Sequence, residues 1–393
     1  MKPTGEDLRR WADADGAARP RRLDGLRERM TSAGVDAYFG VRRENTRYLT
    51  GFELGEGEEK VAGNSGQFIV GRDDVMVLAD SRYTAAATKQ CSGSHIERVY
   101  NDIYDRWPEM LASLGDVKRV AVEAGFVSHA MWQRLDEAAP SVELVPAEGW
   151  VESLRQVKEP SELERVAAAC AVADAALQQL LPQIKAGVTE HELALQLEWE
   201  MRTNGAEALA FDVACLAGAQ AALPHGAPTD RSVKNGEVLL FDFGAQVAGY
   251  RSDMTRTLFV GEPTAQSLEI YEVVARAQEA SFEALSQALA DGSRPSGRSI
   301  HMIAKRVIVD AGYGDHFGHG LGHGIGLATH EMPGLGMSAP DVPLPSPTVF
   351  SIEPGIYLDG VTGVRIEDLV VFDAEQKRLE RLTMFPREVT TVG

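Results

Sequence analysis

Four acidic residues stand at matching places in two sequence hairpins, and with one histidine they form a set able to hold a pair of divalent metal ions. Asp242 closes the apolar run Val238-Leu239-Leu240-Phe241, and Asp253 opens the return run Met254-Thr255-Arg256-Thr257-Leu258-Phe259-Val260, with the turn-prone Ala248-Gly249 between them. A turn centred near Val247-Ala248 sets Asp242 directly across from Asp253, with Cβ atoms about 5 Å apart. Farther on, Val349-Phe350-Ser351-Ile352-Glu353 returns through Asp359-Gly360 to Val364-Arg365-Ile366-Glu367, and a turn centred on Gly360 pairs Glu353 with Glu367. Four carboxylates gathered in a partly desolvated place repel one another unless cations, shared protons or basic partners compensate them. Divalent ions meet that need. Oxygen ligands with one imidazole suit Mn²⁺, Co²⁺ or Zn²⁺, and two ions about 3.5–4 Å apart need carboxylates that bridge them. His323 is the candidate imidazole.

Four of the nine histidines, His316, His319, His323 and His330, crowd one short window, and His225 follows Pro224 in a turn-like stretch. Taken singly, each is equally readable as a structural or solvent-facing histidine, and each acid as a hairpin-flanking charge. The combination favours ligands, because Asp242 and Glu353 each end an apolar strand, where an uncompensated buried charge is costly. Gly318, Gly320, Gly322, Gly324 and Gly326 alternate around His323 and let backbone approach closely. They do not form the strand-to-helix GxGxxG of a dinucleotide site, and no GxSxG elbow supports a serine hydrolase.

The elements that must position these residues belong to a chain of 393 residues, long enough for two domains, with 44% hydrophobic residues to fill both cores. A net charge of −19 opposes binding to nucleic acid and points to a small or peptide substrate. Cys91, Cys170 and Cys215 form neither a CxxC pair nor a disulfide framework, which fits a reducing compartment and a cytoplasmic location. The charged first 22 residues lack a signal-peptide core, and no apolar stretch of about 18 residues is present to span a bilayer.

Before residue 148, the apolar runs at 36–40, 67–70, 75–78 and 119–122 read as strands, and 23–33, 104–114 and 129–138 read as helices. That alternation predicts an α/β layer domain. The acidic, glycine-rich segment 53–66 reads as a solvated connection or a mobile loop. After Lys158-Glu159-Pro160 breaks the chain, Ser161 with Glu164 and Thr189 with Glu192 make capping boxes for two helices. The hairpins then predict a second domain with internal pseudo-symmetry, helices outside and carboxylates inside.

Several segments carry a family resemblance: Asp242-Phe243-Gly244, Gly249 to Thr257, His319-Gly320-Leu321-Gly322-His323-Gly324, His330-Glu331, Glu353-Pro354-Gly355-Ile356-Tyr357 and Val364-Arg365-Ile366-Glu367-Asp368. So do Asn45 to Phe52, Asp80-Ser81-Arg82-Tyr83 and Leu154 to Pro160. The chain resembles the creatinase/prolidase/aminopeptidase P family of pita-bread metallopeptidases over all but about its first twenty residues. The resemblance implies an α/β (α+β) architecture, with a creatinase-like domain over 1–155 and a pseudo-two-fold pita-bread catalytic domain over 156–393. It further implies two divalent ions, Mn²⁺ foremost, with Zn²⁺ or Co²⁺ as alternatives. Asp242 would chelate the first ion, Asp253 and Glu367 would bridge both, and His323 with Glu353 would complete the second.

By the same resemblance, a metal-bridging hydroxide attacks the scissile carbonyl, Glu353 shuttles the proton, and His225, His319 and His330 contact the substrate and steady the tetrahedral intermediate. Tyr357 and Arg365 match positions behind the ligands or on the substrate side. The implied activity is cleavage of the bond between an N-terminal residue and proline, in a dipeptide or a longer peptide. A homodimer is implied, in which segment 53–66 helps close a partner's site. A dipeptidase needs a cation that reads the proline carboxylate, and Arg42, Arg43 and Arg47 are candidates. A non-catalytic binding module and a hydrolase acting on a non-peptide substrate are the competing readings.

Overall fold

The computed structural model describes residues 2–55 and 61–393. It divides into two compact units, one of Arg9–Arg155 and the other of Gln156–Gly393 together with the residues up to Leu8. No helix among the described residues is long and apolar enough to cross a membrane.

The first unit is built on strands β1 (Ala37–Gly40), β2 (Phe68–Val70), β3 (Val75–Ala79), β4 (His95–Arg98), β5 (Arg119–Glu123) and β6 (Glu143–Ala147), in the order β4-β3-β2-β1-β5-β6. Helices α1 (Gly5–Ala33), α2 (Arg43–Thr50), α3 (Thr84–Gln90), α4 (Ile103–Ser113), α5 (His129–Ala138) and α6 (Trp150–Arg155) alternate with them. Period-2 alternation along β3 serves two cores. Met76 and Leu78 join Trp107, Leu111 and Leu135, while Val77 and Ala79 join Ala87 and Cys91. The helix expected over 23–33 starts instead at Gly5, where Thr4 and Asp7 exchange side-chain hydrogen bonds at its first turn. The apolar pattern is too sparse there for periodicity to reveal it. Residues 56–60 of the acidic segment lie outside the described residues, so the loop reading of 53–66 does too in its central part.

The second unit opens with helices α7 (Pro160–Leu180) and α8 (Glu190–Thr203). The Thr189–Glu192 capping box holds as expected. The box expected at Ser161 sits two residues earlier: Glu159 is the N-cap and Glu162 its reciprocal partner, with Pro160 at the first helical position, where no backbone N–H is needed. Two short strands follow, β7 (Ala208–Leu209) and β8 (Ala214–Ala217), and then β9 (Val238–Phe243), β10 (Ala245–Val247), β11 (Tyr250–Arg251) and β12 (Met254–Val260) make the first hairpin. Helices α9 (Ala265–Asp291) and α10 (Gly297–Asp310) lead to β13 (Gly322–Gly324) and β14 (Glu331–Leu335), and the second hairpin is β15 (Thr348–Ile352), β16 (Gly355–Leu358), β17 (Thr362–Arg365) and β18 (Asp368–Asp373). The chain ends through β19 (Arg378–Arg381) and β20 (Thr391–Val392). A helix pair followed by a long hairpin thus occurs twice. Val238, Leu240, Phe350, Ile352, Val370 and Phe372 face one core with Ile270, Val274, Ala277 and Ile300 of α9 and α10, so helices back the strands as expected.

Both hairpins keep one register across an internal break. In the second, Leu358↔Thr362 and Ile352↔Asp368 both sum to 720, as a turn centred on Gly360 requires. In the first, Val247↔Tyr250 and Asp242↔Thr255 both sum to 497, not the expected 495. Ala248 (φ 47°) and Gly249 (φ 81°) are themselves the two turn residues, a primed turn that moves the register by two. A shift of two preserves faces, so Asp242 and Asp253 stay on one side as diagonal neighbours.

Gly322 lies where strands meet most closely: a Cβ there would come within 1.9 Å of Ser351 O. Gly322→Ala is expected to destabilise the chain by about 1–3 kcal/mol or more through forced strand separation. Urea denaturation with an unchanged midpoint would refute that close approach.

Candidate metal centre

The breaks in the two hairpins are what bring the acids together. Between β15 and β16 and between β17 and β18 the ladder is interrupted at Glu353-Pro354 and Ile366-Glu367, and the outward-facing N–H groups of the two acids bond neighbouring strands. Glu353 N donates to Leu321 O at 2.7 Å, next to the strand carrying His323, and Glu367 N donates to Thr255 O at 3.1 Å, next to Asp253. The first hairpin breaks at Gly244, where any Cβ would meet Ser252 O at 2.0 Å, so Asp253 follows a tight backbone crossing.

Asp253 and Glu367 form a buried floor, while Asp242, Glu353 and His323 are partly exposed above it. Ligand atoms of Asp253, His323 and Glu367 lie within 4.8 Å of one another. His323 Nε2 is 3.4 Å from Glu353 Oε1 and 3.6 Å from Asp253 Oδ2. Asp242 joins the group through Arg365, whose Nη2 is 2.6 Å from Asp242 Oδ2. All five line one cavity of about 390 Å³, shared with His225, His319, His330, Tyr357 and Arg365, and with Phe211, Pro224 and Thr329. His225 and His330 are exposed at its rim, the His330 ring 4.2 Å from that of His323. His316 is left outside this lining and contacts Tyr357 O instead.

Hydrogen-bond directions sharpen the picture. Gly324 O lies 3.0 Å from His323 Nδ1 and can only accept, so Nδ1 carries the hydrogen and Nε2 presents its lone pair to the two carboxylates. Gly320 O fixes His319 in the same way at 2.7 Å, leaving its Nε2 to accept from Tyr357 Oη at 3.0 Å. Tyr357 Oη in turn accepts from Arg365 Nη1 at 2.9 Å. Thr255 Oγ1 accepts from Arg365 Nε and donates to Glu367 Oε2 at 2.8 Å, and Ser351 Oγ accepts from His323 N and donates to Glu353 Oε1 at 3.0 Å. Arg256, fully buried, holds Glu367 O, Thr255 O and Asp368 while it docks Phe385 O and Pro386 O. Sequence reasoning passed over Thr255, Ser351 and Arg256 as site residues. Their only signal was proximity in sequence to Asp253 and Glu353.

The electrostatics are those of a cation site. Burial, then Glu367 and Asp242, push Asp253 well above the usual carboxylate range, and burial with Glu353 and Asp242 does the same to Glu367. Burial raises Glu353 to about 7 and holds His323 below its ordinary value. Among the described residues one guanidinium, that of Arg365, is given to these four acids. Asp242 Oδ1 and Glu367 Oε1 are buried and face no donor of the described residues. Two orphaned carboxylate oxygens and an imidazole lone pair lining one cavity fit divalent ions bound through oxygen and nitrogen, and a carbonyl behind His323 is the usual support for a metal-binding imidazole.

This is the active-site pattern of a carboxylate-rich metallohydrolase, and comparison with known proteins agrees. Residues 164–374 match the model of metallopeptidase family M24, and residues 22–157 match the creatinase/prolidase N-terminal domain. The Xaa-Pro dipeptidase of Pyrococcus furiosus is 32% identical over 370 residues, covering 94% of this chain and 99% of its relative. Among solved structures, the Xaa-Pro dipeptidase from Bacillus anthracis is 32% identical with a TM-score of 0.85, covering 95% of this chain and 99% of that one. An X-Pro aminopeptidase from Thermotoga maritima MSB8 is also 32% identical, with a TM-score of 0.81 over 94% and 99%. The chain belongs to metallopeptidase family M24 and carries the creatinase/prolidase N-terminal domain in front of the pita-bread domain.

Proton release should accompany metal uptake. Glu353 moves from 4.5 to about 7 on folding without metal. The folded chain therefore keeps a proton that the unfolded chain has already lost, and metal-free stability falls as pH rises across that window. The metal-free thermal midpoint is expected to drop between pH about 4.5 and about 7, with added Mn²⁺ removing the loss. Calorimetry in buffers of different ionisation enthalpy should detect the released protons, and uptake without release would contradict the assignment.

Proposed function

We propose that this chain is a metal-dependent Xaa-Pro exopeptidase, hydrolysing the bond between an N-terminal residue and proline in dipeptides and short peptides. The convergence of Asp242, Asp253, His323, Glu353 and Glu367 on one cavity carries the reading. Relatives named Xaa-Pro dipeptidase and X-Pro aminopeptidase over nearly the whole chain support the proline specificity. Two ions are assigned here, Mn²⁺ first, with Zn²⁺ or Co²⁺ accepted by the same donor set. Asp242, Asp253, His323, Glu353 and Glu367 would hold the ions. When bound, such a pair supplies Lewis acidity towards the scissile carbonyl and a water acidic enough to attack near neutral pH.

The chain's own residues do the rest. Glu353 accepts the proton lost by the attacking water and returns it to the proline nitrogen as the amide breaks. That nitrogen bears no hydrogen in the substrate, so its departure as an amine needs this delivery. Burial lowers His319 to about 4 and keeps it neutral, with Tyr357 donating to its Nε2. Arg365 neutralises Asp242 and fixes Tyr357. His225, His319 and His330 line the cavity on the substrate side.

The proposed cation for a proline carboxylate does not come readily from Arg42 or Arg47, which pair with Glu152 and Glu53 within the first unit, while Arg43 donates to Ser65 O there. The three cysteines are free and buried, which supports a reducing, cytoplasmic setting.

With Mn²⁺ supplied, Ala-Pro and a longer Ala-Pro-initiated peptide should be cleaved and a proline-free peptide should not. Absence of product from both proline substrates would defeat the peptidase reading. Glu353→Gln is expected to cut kcat by about 10²-fold or more while the fold persists, as loss of a proton shuttle requires. Activity within threefold of the parent would remove Glu353 from that role.

A further inference from the structure

The break in the second hairpin creates a problem that a residue on α9 solves. Where β15 gives way to β16 and β17 to β18, Ile366 O faces Pro354, which has no N–H to offer it, and Ile352 is the last residue of β15 to pair, with Asp368, both isoleucines being buried. They stand immediately before the acids Glu353 and Glu367. Gln278, buried in the middle of α9, reaches them with its side-chain amide: Nε2 donates to Ile352 O at 3.1 Å and to Ile366 O at 3.2 Å. A primary amide has two N–H groups, and both are spent on these two carbonyls.

We infer that Gln278 is a positioning residue for the metal centre, holding the two strands of the broken hairpin at the separation that sets Glu353 and Glu367 around the ions. The inference rests on the metal reading of the site, and its reach is specific. The amide touches no ligand, and it fixes the peptide planes from which both ligands spring. On their other side the same residues are tied by Glu353 N to Leu321 O and by Glu367 N to Thr255 O. Each acid is thereby gripped between a strand in front and the helix behind. Neighbours of Gln278 on α9, such as Val274 and Ala277, meet the strands only through apolar packing.

Gln278→Glu keeps the shape and replaces the donors with acceptors facing two carbonyl oxygens, and Gln278→Met keeps the length with no polar group. Ile270→Val, in the same core and on the same helix, is the control for general loosening. Mn²⁺ alone is the probe, titrated into metal-free protein by calorimetry, with thermal midpoints measured alongside and kcat and KM on Ala-Pro measured separately. Both Gln278 variants are expected to bind Mn²⁺ at least tenfold more weakly than the parent and to lose kcat more than KM. Ile270→Val should lower the midpoint and keep parental Mn²⁺ affinity.

Folded Gln278 variants with Mn²⁺ affinity within twofold of the parent would overturn the inference. Equal weakening in Ile270→Val would also overturn it, by showing that any loosening of the core suffices. A parent that takes up Mn²⁺ but cleaves no proline peptide would sink the proposed function and leave the Gln278 result decisive on its own. A parent that takes up no Mn²⁺ would overturn both.

Discussion

The repulsion among four carboxylates in one desolvated pocket is the constraint around which the second unit is built. Two unit charges 4 Å apart interact by about 1 kcal/mol in water and by about 4 kcal/mol at the effective dielectric of a protein surface. Arg365, 2.6 Å from Asp242, also favours the charged forms of Asp253, Glu353 and Glu367, but it is one positive charge among four acids. Left to themselves they would hold protons, as the raised values of Asp253, Glu353 and Glu367 express. The fold must therefore supply from covalent geometry and packing what electrostatics opposes. A buried cation-free acid cluster is poor evidence of stability and good evidence of purpose.

Antiparallel pairing commits alternate backbone groups of a strand to its hairpin partner and leaves the others for a further strand. Glu353 and Glu367 stand at positions whose N–H groups point away from the hairpin, and they bond across to Leu321 O and Thr255 O, which ties both acids to neighbouring strands. Thr255 then becomes the hub of the floor, joining Glu367 through its hydroxyl and its carbonyl while Arg256 beside it holds Glu367 O. Hence the apolar core below and the polar centre above are separated by only one residue along each strand: Ile352 belongs to the core and Glu353 to the cavity.

What was legible in the sequence was whatever depends on local pattern. The 720 register of the second hairpin followed from Gly360 in the left-handed region and from apolar alternation on either side. The first hairpin was misjudged by two because the turn-prone Ala248-Gly249 was read with the centre on Val247-Ala248, whereas Ala248 takes up the positive φ that alanine seldom adopts and forms the turn with Gly249. Faces survived that error, so the metal set did as well. The capping shift from Ser161 to Glu159 and the early start of α1 arose from the same source, terminal chemistry that outweighs periodicity. Arg256, Thr255 and Ser351 were illegible for another reason. Their roles depend on partners more than a hundred positions away for the first two, and for Ser351 on the close approach of the strand carrying His323, and such pairings leave no local trace.

Crowding also divides the acids by role. Asp242 is held by Arg365, while burial and the neighbouring acids push Asp253 and Glu367 well above the usual carboxylate range. Glu353 is the intermediate case: it shares the burial, but it lies nearer the open side and accepts from Ser351, and it ionises at about 7. Burial comes first among the causes that raise Glu353, and Asp242 adds to it, so removing the Asp242 charge would lower Glu353 towards an ordinary carboxylate and make it a weaker base.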